Sequence, residues 1–271
     1  MNVFISADME GICGVSGRVH WSTDGADYKR AREWMAQEVN AAIEGALQAG
    51  AKRVVVKDAH ETATNIELDR LHSAAELISG WGPLGSMVEG VDRSFDVVFL
   101  IGYHARATTV SGTLAHTWSH NVLDLRINGQ SIGEVGWAAA FAGHFDVPIG
   151  LVTGDDKLAA QVREELPDGV ETVVTKTGWA NTAAQMRPLA VVRDEIQQAA
   201  RRVLANVASL SPWKPTLPLT LTIRFREWEN LSACEAVPNV RRIAVDTFEV
   251  EAADCIEAQK YFATLHRLSR S

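Results

Sequence analysis

The chain is expected to fold as an α/β protein, with a mostly parallel sheet flanked by helices and a smaller α+β C-terminal subdomain. Three observations lead there. Short apolar runs at residues 3–5, 54–56 and 97–101 are rich in β-branched and aromatic residues, and polar residues follow each. A stretch with apolar residues at three- and four-residue steps separates the first two runs. Beyond Pro188 the order changes to helix, strand, strand, helix, which sets the expected boundary between residues 1–187 and 188–271.

The first run stops at Asp8 and Glu10. If extended backbone continues through Glu10, a period of two puts both carboxylates on one face. Two such acids repel unless a proton, an arginine or a metal ion lies between them. Gly11, Gly14 and Gly17 then mark a loop. It is not a phosphate loop, since neither Gly-Lys-Ser/Thr nor the G-x-G-x-x-G spacing is present.

Tyr28, Ala31, Met35, Val39, Ala42 and Ala46 predict a helix over 28–49, with Gly50 as its C-terminal cap. The strand from Arg53 ends at Asp58 and His60, closing a βαβ unit with an expected right-handed crossover. Residues 61–65 read as a loop and Leu77-Ile78 as a short strand, broken by Gly80, Gly82, Pro83 and Gly85. The strand from Asp96 ends at His104, and residues 105–112 form a loop.

Leu123, Leu125 and Ile127 alternate with polar residues, and Asn128-Gly129 is a hairpin-turn dipeptide. An Ala-rich helix follows over 135–142, with Glu134 in its first turn, where a carboxylate suits the helix dipole. Pro148 opens a strand over 149–153, Asp155-Asp156 start a helix to about Leu166, and residues 170–176 form another strand. Pro188 begins a helix to about Val207. The proline-rich segment 211–218 reads as a stiff linker. A strand with Leu219, Leu221, Ile223 and Phe225 follows, then a strand over 241–250 and a helix over 252–268.

Composition narrows the function. At 271 residues, 46% hydrophobic and 22% charged, the chain reads as a soluble globular protein. A net charge of −8 without a Lys/Arg cluster argues against nucleic acid as partner. No signal peptide or membrane-spanning run is read. Cys13, Cys234 and Cys255 are odd in number and widely spaced, which fits a reduced cytoplasmic protein.

Three strands thus deliver Asp8, Glu10, His60 and His104 to one sheet edge, where parallel α/β sheets bind ligands. A single histidine after a strand is usually a turn or surface residue. Four residues of ligand type at equivalent strand ends favour a shared site.

The set Asp8-Met9-Glu10-Gly11, Asp58-x-His60, Gly102-Tyr103-His104-Ala105, His116, Gly133-Glu134 and Gly154-Asp155-Asp156 resembles the D-aminopeptidase family, also called dipeptide transport protein A. The resemblance covers nearly the whole chain, most securely residues 3–156. It implies an aminopeptidase with two zinc ions per subunit, cobalt or manganese being compatible with the same donors. It implies that Asp8 bridges the ions, that Glu10 and His60 complete one position, and that His104 and Glu134 complete the other. His116 would be the catalytic residue, as proton shuttle or oxyanion donor. It implies as substrate a short peptide or aminoacyl amide containing D-amino acids, cleaved after its N-terminal residue, and as assembly a homodecamer.

Plainer roles exist for single residues. Glu134 alone would be a first-turn acid, and His116 a strand-end histidine. Asp58 is expected to support His60 from behind or to cap a turn, rather than bind metal. A cysteine hydrolase built on Cys13, a metal-dependent peptide-binding protein and an amidase of other specificity are the competing functions.

Overall fold

The computed structural model describes residues 1–229 and 231–270. In chain order its strands are β1 (Asn2–Ala7), β2 (Arg53–Asp58), β3 (Ala75–Ile78), β4 (Val97–Ile101), β5 (Val122–Ile127), β6 (Gln130–Ser131), β7 (Ile149–Asp155), β8 (Glu171–Ala180), β9 (Ala183–Met186), β10 (Leu219–Phe225), β11 (Arg241–Ala244) and β12 (Thr247–Ala252). The helices are α1 (Arg18–Trp21), α2 (Tyr28–Gln48), α3 (Glu134–His144), α4 (Asp156–Glu165), α5 (Leu189–Ala205) and α6 (Cys255–Leu268).

A seven-stranded sheet runs in the order β3-β2-β1-β4-β7-β8-β9. Every neighbouring pair in it is parallel except β8 with β9. Alternation along β1 sends Val3 and Ile5 to the face covered by α2 and α5, and Phe4 to the face covered by α3 and α4. The expected α/β fold with a mostly parallel, helix-flanked sheet is therefore present.

A second, antiparallel sheet runs β11-β12-β10-β5-β6. Helix α3 lies between the two sheets. Val135, Ala138 and Ala142 pack toward the large one, and Trp137 and Ala140 pack toward the small one and Phe262 of α6. A helix buried all round must be apolar all round, which the Ala-rich sequence of α3 satisfies.

The structure departs from expectation in three places. Strand β1 stops at Ala7, so Asp8 and Glu10 sit in the turn beyond it rather than on one extended face. The segment 241–250 is a hairpin, β11 and β12, rather than one strand. Strand β9, absent from the sequence reading, folds back on β8. Helix α5 packs on α2 in the large-sheet layer, while β5 and β6 join the small sheet. Elements from both sides of residue 187 thus enter each layer.

Gly11 and Gly102 let the β1 and β4 ends approach. The Gly11 amide donates to Gly102 O at 2.7 Å, and a Cβ on Gly11 would lie 1.8 Å from Tyr103 O. Gly102 has φ +76°, where its own Cβ would meet Asp8 O at 2.3 Å.

The loop after Glu10 is held from inside. Lys176 is fully buried and its ammonium donates to the carbonyls of Glu10, Ile12 and Val15 at 2.5, 2.9 and 2.6 Å. Burial pulls its pKa down to about 8. Nearby, Glu38 is fully buried and accepts from the Cys13 amide at 2.8 Å. Burial raises the Glu38 carboxyl from 4.5 to about 8, against the Cys13 hydrogen bond and Lys176.

A pH test follows from Glu38. Because its folded pKa lies above the unfolded value, its contribution is complete below about 4.5 and is lost as pH rises to about 8. In urea denaturation at stepped pH, the stability of the wild type relative to Glu38→Gln is expected to fall across that window, by at most about 1.4 kcal/mol per pH unit. A constant difference would assign Glu38 no shifted titration.

Candidate metal centre

Asp8, Glu10, His60, His104 and Glu134 converge at the C-terminal edge of the large sheet, and all are buried. His60 Nδ1 lies 3.2 Å from Asp8 Oδ1 and 3.0 Å from Glu10 Oε2. His104 Nε2 lies 3.4 Å from Asp8 Oδ2 and 3.2 Å from Glu134 Oε2. Asp8 therefore stands between the two imidazoles, one oxygen toward each. His116 stacks on His104, ring centroids 4.0 Å apart and 11° from parallel, with Nε2 3.9 Å from Glu134 Oε1.

Backbone carbonyls fix the tautomers. His60 Nε2 meets Trp21 O at 2.9 Å, His104 Nδ1 meets Ala105 O at 3.0 Å, and His116 Nδ1 meets Leu114 O at 2.8 Å. A carbonyl can only accept, so those nitrogens carry the hydrogen. In the neutral rings the lone pairs then sit on His60 Nδ1, His104 Nε2 and His116 Nε2. The first two face the carboxylates. This is how a ligating histidine is held, its other nitrogen donating to a second group.

The titration behaviour reflects crowding. Burial, then Glu10, raises the Asp8 carboxyl to about 7. For Glu10, burial acts upward, but the charge and hydrogen bond of His60 outweigh it and hold the carboxyl well below its usual range. Burial opposes charging of His104, yet Glu134 and Asp8 carry its pKa up to about 10. His60 is likewise raised well above its ordinary value, against burial, by Glu10 and Asp8. Burial, then the charge of His104, lowers His116. The three acids thus draw positive charge into the space between them.

A metal fits these donors. Asp8 Oδ2, Glu10 Oε2 and His104 Nε2 are buried without hydrogen-bond partners. Ligand atoms of Asp8, Glu10 and His104 lie within 4.8 Å of one another, as do those of His104, His116 and Glu134. Mixed imidazole and carboxylate donors suit zinc, cobalt or manganese. Among the described residues, no other group of three potential donors comes together.

The Peptidase_M55 family model, described as D-aminopeptidase, matches residues 1–264. The chain belongs to the D-aminopeptidase family. A D-aminopeptidase of Bacillus subtilis (strain 168) is 31% identical over 270 residues, covering 99% of this chain and 98% of the relative. The solved structure of the Zn-dependent D-aminopeptidase DppA from Bacillus subtilis, described as a self-compartmentalizing protease, superposes with a TM-score of 0.96 at 31% identity. It spans 100% of this chain and 98% of that one. By this membership the chain is a metallo-aminopeptidase, a hydrolase.

The aminopeptidase supports its donors from behind. Asp58 accepts from the Asn65 and Ile66 amides at 2.5 and 2.7 Å and from Asn65 Nδ2 at 2.8 Å, while Asn65 Nδ2 also donates to His60 O at 2.6 Å. This is the supporting role expected of Asp58. Asp155 caps α4 and accepts from the Thr113 amide at 2.7 Å, which anchors the segment leading to His116. Cys13 is buried, and burial raises its thiol pKa, the opposite of what a nucleophile needs.

Some participants escaped the sequence reading. The Trp118 amide donates to Glu134 Oε1 at 2.5 Å, and Lys176 clamps the Glu10 turn. Backbone donors and acceptors have no residue-type signature. The lysine had one available sign, a cation at the buried end of an apolar strand.

Asp58→Ala removes the acceptor for four N–H donors, the amides of His60, Asn65 and Ile66 and Asn65 Nδ2, and is expected to cost roughly 3 kcal/mol in urea denaturation. An unchanged midpoint would mean that the loop repairs itself.

Proposed function

We propose that the chain is a zinc-dependent aminopeptidase that releases the N-terminal residue of short peptides or aminoacyl amides, with preference for D-residues. Asp8, Glu10, His60, His104 and Glu134 would hold two zinc ions, Asp8 shared between them, and His116 would be the catalytic group. The carrying observation is the set of carbonyl-fixed imidazoles whose lone pairs meet three buried carboxylates. Bound zinc would supply Lewis-acid polarisation of the scissile carbonyl and acidification of water.

The protein's own part is positional. Asp8 offers one oxygen to each side, with Glu10 and His60 on one and His104 and Glu134 on the other. His116 holds its hydrogen on Nδ1, leaving Nε2 as an acceptor toward the cavity. That tautomer favours proton transfer over donation to an oxyanion. His116 Nε2 takes a proton from attacking water as the C–O bond forms, then returns it to the leaving nitrogen as the C–N bond breaks. Trp21, Met87 and Leu114 are apolar members of the same cavity wall.

Zinc and the D-preference rest on the relatives' description as zinc-dependent and as D-aminopeptidases. The self-compartmentalizing relative supports a homo-oligomer, and the family resemblance a decamer. Three buried, unpaired cysteines fit a reducing cytoplasm. Short peptides fit a cavity of about 590 Å³. Among the described residues, no helix is long and apolar enough to cross a membrane.

Paired D-Ala and L-Ala dipeptides and amides, assayed with chelator and with restored zinc, test the reading. Turnover is expected only with zinc, and faster on the D-substrates. His104→Ala and Glu134→Gln should lower bound zinc by elemental analysis together with activity. His116→Ala should lose at least about a hundredfold in kcat while retaining its zinc. Zinc-independent turnover, or full zinc retention in the ligand variants, would refute the assignment.

A further inference from the structure

We propose that the enzyme reads the free C-terminal carboxylate of its peptide with Arg267 and Arg270. These arginines line a second cavity beside the metal centre. The proposal rests on the aminopeptidase reading and adds the end of the substrate farthest from the buried donors.

The charge distribution carries the argument. The cavity at the centre has five carboxylates in its wall: Asp8, Glu10, Glu61, Glu134 and Glu227. The adjoining cavity, about 560 Å³, has none; its charged residues are Arg267 and Arg270. Trp81, Trp118, His266 and Arg270 line both cavities, so the two share a wall. A short peptide at neutral pH carries an ammonium at one end and a carboxylate at the other. Acid-rich and cation-only compartments side by side match that dipole in one orientation, amine inward and carboxylate outward. A guanidinium binds a carboxylate through two parallel hydrogen bonds, which suits Arg for this recognition.

The arginines sit on an anchored wall. They lie at and just beyond the last turn of α6. His266 Nε2 meets Ser119 Oγ at 2.9 Å, and Asn121 Nδ2 donates to Ser269 O and Oγ, both at 3.2 Å. Asn121 Oδ1 also accepts from the Glu227 amide at 2.9 Å, so one side chain ties together three segments of the rim. Trp118 spans the two compartments: its amide donates to Glu134, and its ring packs edge-on to Phe262 of α6 at 4.9 Å. Among the described residues, neither Arg267 nor Arg270 forms an ion pair with a carboxylate.

The deciding experiment uses zinc-loaded full-length protein and D-alanyl peptides of two to five residues, each as free acid and as C-terminal amide. At one length or more, kcat/KM is expected to favour the acid by about tenfold, chiefly through KM. Arg267→Met and Arg270→Met should bring that ratio toward one, and Arg270→Lys should keep part of it. The ratio is internal to each variant, so a loss of folded protein does not imitate the effect. An amidated peptide ending in Asp separates a side-chain carboxylate from the main-chain one. Calorimetry with a reduced-bond analogue, as acid and amide, reads the same preference without turnover. Failure of both acid and amide to turn over would sink the aminopeptidase reading, leaving calorimetry to decide the carboxylate. Equal acid and amide at every length, ratios untouched by both arginine variants, or full recovery by the Asp amide would overturn the proposal.

Discussion

Asp8 turns one carboxylate oxygen to His60 and the other to His104, in a place with almost no solvent to screen either contact. Glu10 and Glu134 crowd the same imidazoles from outside. Burying three carboxylates this closely costs several kcal/mol per ion unless positive charge is held among them. The surrounding fold is arranged to keep that charge in register. Trp21 O and Ala105 O orient two rings, Lys176 fixes the turn carrying Glu10, and the Trp118 amide fixes Glu134. Those constraints come from α1, the loop beyond β4, β8 and the segment before β5. The centre is therefore a product of the whole large-sheet edge rather than of a local motif.

Much of this was legible in the chain. Strands β1, β2 and β4 are buried, and such strands read as unbroken apolar runs. A βαβ unit gives β1 and β2 a common direction, β4 pairs parallel to β1, and that direction brings Asp8, His60 and His104 to one edge. Helix α2 is amphipathic enough for its period to define it. What was not legible depended on distant partners. The segment Ala183–Met186 becomes a strand because β8 offers it an edge, and nothing in Ala-Ala-Gln-Met announces that. The local apolar pattern of 241–250 does not mark the turn at Val245-Asp246 that divides β11 from β12. Glu10 lies beyond β1 because the Gly11 amide bonds to Gly102 O, a contact between strands far apart in sequence. Asp8, Glu10, His60 and His104 lie together even though Glu10 does not continue the extended strand.

The small sheet belongs to the site as much as the large one does. It carries β5 beside β10, and through α6 and the segment after β10 it builds the outer wall of the cavity. The large sheet supplies the donors, and the small-sheet layer supplies Glu227, His266 and Arg270. Helix α3 joins them physically: its first residue is Glu134, and its opposite faces enter the cores of both layers. A displacement between the layers would move Glu134 relative to Asp8. Packing of Trp137 against Phe262, at 5.4 Å between ring centroids, opposes that displacement.

Backbone bonding separates His116 from its neighbour His120. Both line the cavity, and their rings lie 5.5 Å apart. In the proposed mechanism the group that moves a proton twice in one turnover must present the same nitrogen each time. Leu114 O holds His116 Nδ1, and the stacked ring of His104 fixes the plane, so its free Nε2 has one direction. Among the described residues, the His120 imidazole has ring contacts with Trp21 and His116 but no carbonyl to choose its tautomer. Its position on the wall suits contact with a substrate side chain, while the fixed lone pair beside Glu134 suits the proton. Two histidines four residues apart in one loop thus differ in setting, because among the described residues only His116 has its hydrogen assigned by a backbone carbonyl.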